Sequence, residues 1–160
     1  MNPIIQTLPT KKFIGKKLEM SYINNRTGEL WRSFMPHRKK ITNEVSSELY
    51  SMQIYNGIFE FQQFNLNEVF TKFAGVEVID FEHIPEGMTT HILIGGLYAT
   101  FIHKGSSHDF QKTFQHIFGV WLPNSEYMID DREHFELLGE KYKNESPDSE
   151  EEIWIPIRSL

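Results

Sequence analysis

HILIGGLYATFIHKGSSHDFQKTFQHIFGVWLP, residues 91–123, carries a strand, a turn and a helix in one run. From Ile92 to Ile102 the chain is almost uninterruptedly apolar and rich in β-branched and aromatic residues, which predicts a central strand covered on both faces. The Gly95-Gly96 pair inside it marks a bulge or a close backbone approach. Gly105 then turns the chain, and Ser106 or Ser107 is placed to cap a helix whose first turn holds Asp109. Phe110, Phe114, Ile117, Phe118 and Trp121 recur at helical spacing, so they form one stripe that must lie on a sheet; the helix ends before Pro123.

Upstream, residues 1–11 read as a loose lead-in. Lys12 to Tyr22 alternates as a half-buried strand, with Ile14, Leu18, Met20 and Tyr22 on one face. Thr27 offers an N-cap to a short helix bearing Leu30, Trp31 and Phe34, which Pro36 interrupts. Leu49–Tyr55 is a strand with Met52 and Ile54 on one face, Asn56-Gly57 a turn, Ile58–Phe64 a further strand, and Phe70–Phe81 another. Downstream, short strands are expected at Tyr127–Ile129 and Phe135–Leu138. The acidic stretch Lys141–Glu152 reads as a solvated loop, and Ile153–Ile157 as a last strand whose Pro156 argues for an edge or a strand end.

Two parts of the chain resemble each other. FIG at 13–15 precedes a strand, a polar turn and the helix LWRSF; LIG at 93–95 precedes a strand, a polar turn and the helix with FQHIF. The expected fold is α+β: duplicated βαββ units, about residues 12–81 and 90–158 of a single domain spanning 1–160, forming a pseudo-symmetric antiparallel sheet. Both helices lie on one face, and a groove between the halves is the natural ligand site.

Composition bounds the function. At 160 residues with 39% hydrophobic content and thirteen Phe, the chain can bury a core, and the absence of Cys removes disulfides and thiol nucleophiles. The net charge of −6 argues against direct nucleic-acid binding, since the basic clusters at Lys11-Lys12, Lys16-Lys17 and Arg38–Lys40 are too short for a phosphate-binding stripe. No apolar run approaches the ~20 residues of a membrane span and no signal peptide is visible, so a cytoplasmic protein without membrane contact is expected. His103, His108 and His116 lack paired-ligand spacing, and Ser106-Ser107 lacks a nucleophile elbow; neither a metal nor a cofactor is expected.

GVEV at 75–78, EHIPEGMTTHILIGGLYATFIHKG at 82–105, VWLPNSEY at 120–127, HFEL at 134–137 and WIPI at 154–157, in this order, resemble the GyrI-like small-molecule-binding family, also called the AraC-type effector-binding domain, along roughly residues 10–158. The resemblance implies a pocket that takes hydrophobic, often cationic compounds between aromatic walls and over one buried glutamate. Glu136 stands at the place of that glutamate, Tyr98 and Trp121 at family aromatic positions, and Trp31 at the corresponding place in the first helix. Family members act as effector sensors behind DNA-binding modules or stand alone, and some standalone relatives are hydrolases. Two departures are visible: Leu137-Leu138-Gly139 replaces the usual tyrosine-bearing continuation, and Pro36 intrudes in the first helix.

From the residues alone, Glu136 is either a solvated acid between Phe135 and Leu137 or a buried one whose ionisation a bound cation would favour. Trp31, Phe34, Met52, Tyr98, Phe118 and Trp121 either line a pocket, where ring faces attract a cation, or are core. The expected function is effector binding by a standalone protein linked to transcription regulation or to drug and toxin sensing. A hydrolase using Glu136 and a protein-interaction inhibitor of a DNA enzyme such as gyrase are the alternatives, and the acidic tail mildly favours a protein partner.

Overall fold

The computed structural model describes residues 1–143 and 146–160, with the side chain of Ser107 also outside the description. Among the described residues the chain runs β1 (Ile4–Leu8), β2 (Lys11–Met20), α1 (Thr27–Phe34), β3 (Leu49–Ile54), β4 (Phe70–Val78), β5 (Thr89–Leu93), β6 (Gly96–Lys104), α2 (Phe110–His116), β7 (Tyr127–Ile129), β8 (His134–Leu138) and β9 (Glu150–Ser159). A 3-10 turn, Met35–Lys40, follows α1 and holds Pro36; α2 continues as a π-helical turn, Ile117–Trp121, and a 3-10 turn, Leu122–Asn124. No helix among the described residues is long and apolar enough to cross a membrane.

All pairings are antiparallel, in the order β1-β6-β9-β8-β3-β4-β2-β5, with β7 added to β9. Two βαββ units are therefore present, β2-α1-β3-β4 and β6-α2-β8-β9, joined where β3 meets β8 with Ser51 opposite Glu136. Only Pro9 and Thr10 separate β1 from β2, and only Ile94 and Gly95 separate β5 from β6. The pairing path thus returns on itself, and the sheet curls into a ring.

Strand alternation sorts the side chains. Phe13, Tyr50, Met52, Phe73, Leu93, Tyr98, Phe135, Leu137 and Trp154 form one cluster on the inner face. On the outer face, α1 covers Ile14, Ala74, Val76 and Val78, while α2 and its extension cover Ala99, Phe101, Ile153, Ile155 and Ile157. Tight curling needs small residues. A Cβ on Gly15 would sit 2.0 Å from the Ala74 carbonyl oxygen, and one on Gly95 would sit 2.4 Å from that of Leu8.

Several local expectations are corrected. The lead-in contains β1, whose hydrogen bonds to β6 outweigh its exposed Ile4 and Ile5. Ile92–Ile102 is broken into β5 and β6 at the close approach of Gly95. Residues 56–69 hold bends and turns and no strand. There Phe59 and Phe64 pack on Tyr55 instead of joining a ladder. β9 begins at Glu150, inside the acidic stretch, of which residues 144 and 145 lie outside the description. Pro156 is not at an edge: β9 runs between β6 and β8. It is tolerated because β8 pairs only as far as Trp154 and β7 begins at Ile157, leaving a gap where no backbone donor is required. Helix caps also differ. Arg26 and Asp109 take the N-cap positions without side-chain cap bonds, and the Asp109 N–H donates to the Ser106 carbonyl, closing that turn through the main chain. The Ser107 hydroxyl lies outside the described atoms.

Candidate functional site

β3 and β8 run side by side at the seam between the halves. Leu49, Ser51 and Gln53 of β3 and Glu136 and Leu138 of β8 turn to the helix-bearing face, because Tyr50, Met52, Phe135 and Leu137 turn inward. Each helix stands over its own half, so the seam strands are left between them under a cleft of about 780 Å³. Such a volume suits a drug-sized molecule. Trp31 of α1 and Phe110 and Phe114 of α2 form opposing walls, Tyr22 closes one end, and Ser51, Gln53, Lys72, Glu136 and Glu151 make a polar floor.

Glu136 is 8% exposed and accepts a 2.9 Å hydrogen bond at Oε1 from the Gln53 side-chain amide. The Lys72 ammonium lies 3.8 Å from the same oxygen, near enough for an ion pair and too far for a hydrogen bond. No further hydrogen bond to Glu136 Oε2 or Lys72 Nζ is present among the described residues. Burial pushes the Glu136 carboxyl above its ordinary range, against the opposing pull of Lys72 and Gln53. Burial pushes the Lys72 ammonium below its own, with Glu136 and Glu151 resisting. Glu151 is raised to about 7, first by burial and then by repulsion from Glu136, with Lys72 acting the other way.

Around this floor Tyr22, Tyr55 and His134 are neutral, while the exposed Arg32 of α1 adds a cation to the cleft lining. The Tyr22 and Tyr55 hydroxyls hydrogen-bond each other, and burial holds Tyr22 up at about 12. His134, next on the same face of β8, is enclosed by Tyr55, Phe59 and Phe118 and is pushed down to about 3, first by burial and then by Arg132. The floor thus carries two carboxyls against one amine. Among the described residues no group of three or more His, Cys, Asp and Glu is arranged to hold a metal ion.

Of the seven residues read as ligand candidates from the sequence, Glu136 and Trp31 line the cleft. Phe34 is buried beneath α1, edge-on to Trp31. Met52 and Tyr98 face inward, where strand alternation takes them away from Ser51, Gln53 and Glu136. The Tyr98 hydroxyl donates to the Glu133 carbonyl at 2.8 Å, and its ring lies 4.7 Å from the Arg132 guanidinium carbon. Phe118 stacks on Phe61, and Trp121 packs on Phe101 and Tyr127, in the cluster beneath α2. Sequence reading missed Ser51, Gln53, Lys72 and Glu151. The lone lysine within the apolar FTKFAG was a usable signal for Lys72, whereas Glu151 is camouflaged in an acidic run.

Comparison with known proteins adds to this geometry. The family model described as the GyrI-like small molecule binding domain matches residues 1–158. The transcriptional regulator BrlR of Pseudomonas aeruginosa is 27% identical over 158 residues, which are 98% of this chain and 56% of that protein, so the chain spans about half of its relative. The structure of SAV2435 bound to tetraphenylphosphonium superposes with a TM-score of 0.71 at 15% identity, covering 99% of this chain and 94% of that one. The EcmrR–DNA complex superposes with a TM-score of 0.70 at 14% identity, covering 99% and 57%. At these identities the two structures show a shared fold.

Proposed function

The chain belongs to the GyrI-like small-molecule-binding family, and from that premise we propose that its cleft binds a lipophilic cation as an effector, with Glu136 and Glu151 supplying charge and Trp31, Phe110 and Phe114 supplying ring faces. The observation that carries this reading is the floor's charge balance, two carboxyls and one amine beneath aromatic walls, with Glu136 and Lys72 buried, Glu151 half-buried and Arg32 exposed on the lining. When all three are ionised the floor is one charge negative, and a bound monocation neutralises it. Ring faces add cation–π attraction, which strengthens where water is excluded. SAV2435 with its tetraphenylphosphonium is a relative in fold whose ligand has this chemistry.

Coupling of the bound state to transcription is part of the proposal, supported by BrlR being a transcriptional regulator. The ligand is the direct partner in this reading; direct nucleic-acid contact by the chain is not proposed. A cysteine-free sequence suits a reducing compartment, and the cytoplasm is the proposed location.

A thermal-unfolding comparison tests the reading, using tetraphenylphosphonium and neutral triphenylphosphine oxide on the wild type and on Glu136→Gln. A ligand at a hundred times its dissociation constant adds ~2.7 kcal/mol. The cation is expected to stabilise the wild type more than the neutral compound does, and the difference is expected to shrink in the variant. Equal shifts from both compounds would make the ligand a neutral apolar molecule, and no shift from either would overturn the reading.

A further inference from the structure

Lys72 is not needed to bind a cation and works against it, so its presence in the floor calls for a separate account. Its side chain is 9% exposed, its amine reaches the cleft floor from the first half of β4, and its ion-pair partner Glu136 is too distant to fix it by a hydrogen bond. A primary amine desolvated in an apolar pocket beside a proton acceptor is an arrangement suited to forming imines with carbonyl compounds.

We propose that Lys72 captures lipophilic aldehydes covalently and reversibly, condensing with them in the cleft while Glu136 passes the proton. The inference rests on the cleft admitting lipophilic small molecules, as in the reading above, and does not require that they be charged.

The step balances without any oxidant or co-reactant. The flexible Lys72 side chain first closes from 3.8 Å to hydrogen-bond distance and gives a proton to Glu136, leaving a neutral amine and a carboxylic acid. The nitrogen lone pair forms a bond to the carbonyl carbon as the C=O π pair moves to oxygen. A proton leaves the nitrogen for that oxygen, and the resulting hydroxyl takes the proton held by Glu136 and departs as water. The product is a protonated imine on Lys72 beside a Glu136 carboxylate, so the floor ends with the same charges it began with. Hydrolysis runs the sequence backwards. Burial depresses the amine and raises the acid, which brings the two proton affinities together and makes the first transfer accessible.

The walls set the class of aldehyde. Trp31, Phe110 and Phe114 surround the approach to the amine with rings, which favours aromatic or extended unsaturated aldehydes over small hydrophilic ones. An exposed lysine such as Lys141, at 77% side-chain exposure, has neither the walls nor a buried acid beside it.

The test uses the intact wild-type chain with cinnamaldehyde and sodium cyanoborohydride near neutral pH, followed by peptide mass mapping. The peptide holding Lys72 is expected to gain the mass of the aldehyde less one oxygen at least about tenfold faster than any exposed lysine, and Glu136→Gln is expected to slow this by a similar factor. Glycolaldehyde, lacking an apolar body, is expected to show no such preference. Labelling spread over the lysines with no preference for Lys72 would overturn the proposal, and so would an undiminished rate in Glu136→Gln. A tetraphenylphosphonium shift without Lys72 labelling would sink only the aldehyde inference. Lys72 labelling without that shift would support it and sink only the cation reading.

Discussion

The Lys72 ammonium lies 3.8 Å from Glu136 Oε1, the oxygen that also accepts the Gln53 amide at 2.9 Å. Removing either charge alone strands the other in a largely dry floor, whereas removing both leaves a neutral surface. Buried pairs behave asymmetrically for this reason: breaking one is costly, and replacing it whole is often nearly neutral. Glu136→Gln and Lys72→Met are each expected to lower stability, and the double variant to recover much of the loss, with a coupling of about 2 kcal/mol. Urea unfolding of the four proteins measures it, and strictly additive losses would show that the two groups do not interact.

Glu151 gives the cleft a pH response near neutrality. Its carboxyl is raised from 4.5 to about 7, so it gains its charge as pH passes from 6 to 8. Affinity for tetraphenylphosphonium is expected to rise several-fold, on the order of tenfold at most, over that range and to flatten in Glu151→Gln. Stability moves the other way. The folded chain holds this proton more tightly than the unfolded chain does, so the contribution is complete below about 4.5 and is lost as pH climbs through about 7. Titration calorimetry at stepped pH checks the first part, and an unchanged slope in the variant would refute it.

Trp31 and Tyr98 separate ligand contact from packing. Trp31 is on a cleft wall, while Tyr98 is wholly buried on the inner face and its hydroxyl donates to the Glu133 carbonyl. Trp31→Ala is expected to weaken cation binding by about tenfold through lost ring contact. Tyr98→Phe is expected to cost about 1 kcal/mol of stability, from one buried hydrogen bond, and to leave affinity unchanged. Binding and unfolding measured on both variants decide this; reversed phenotypes would place the ligand on the inner face.

Why the sequence revealed some of this and hid the rest follows from which forces are local. The α2 stripe from Phe110 to Trp121 and the polar turns repeat at fixed periods, so the duplicated halves and their helices were legible. Alternation in β3 also marked two faces, but it could not say which was the core. It gave no role to Ser51 and Gln53, which form the cleft floor, and left Met52 as either pocket wall or core, where the structure packs it inside the ring. The closure of the ring was equally invisible, because β1 is exposed in its side chains and is held by backbone hydrogen bonds to β6, nearly a hundred residues away. Glu136 was found through its motif; Lys72 and Glu151 were not, since their partnership depends on strand register and on no periodicity along the chain.

His134 should govern the acid limb of stability. Enclosed by Tyr55, Phe59 and Phe118, it is held neutral with its pKa lowered from 6.5 to about 3. Between those values the unfolded chain takes a proton that the folded chain refuses. Its contribution is therefore complete above about 6.5 and is lost as pH falls toward about 3. Glu151 has the opposite slope from about 4.5 to about 7, so the two oppose each other through most of that window and the wild-type profile is flattened there. Single variants should expose each limb. His134→Gln is expected to resist acid better than the wild type below pH 6, the gap between them changing by on the order of 1 kcal/mol per pH unit. Urea midpoints at pH 7, 6, 5 and 4.5, chosen to bracket the window, provide the measurement. Parallel profiles for variant and wild type would mean that His134 takes up its proton in the folded state, as a cation next to Glu136 on the same face of β8.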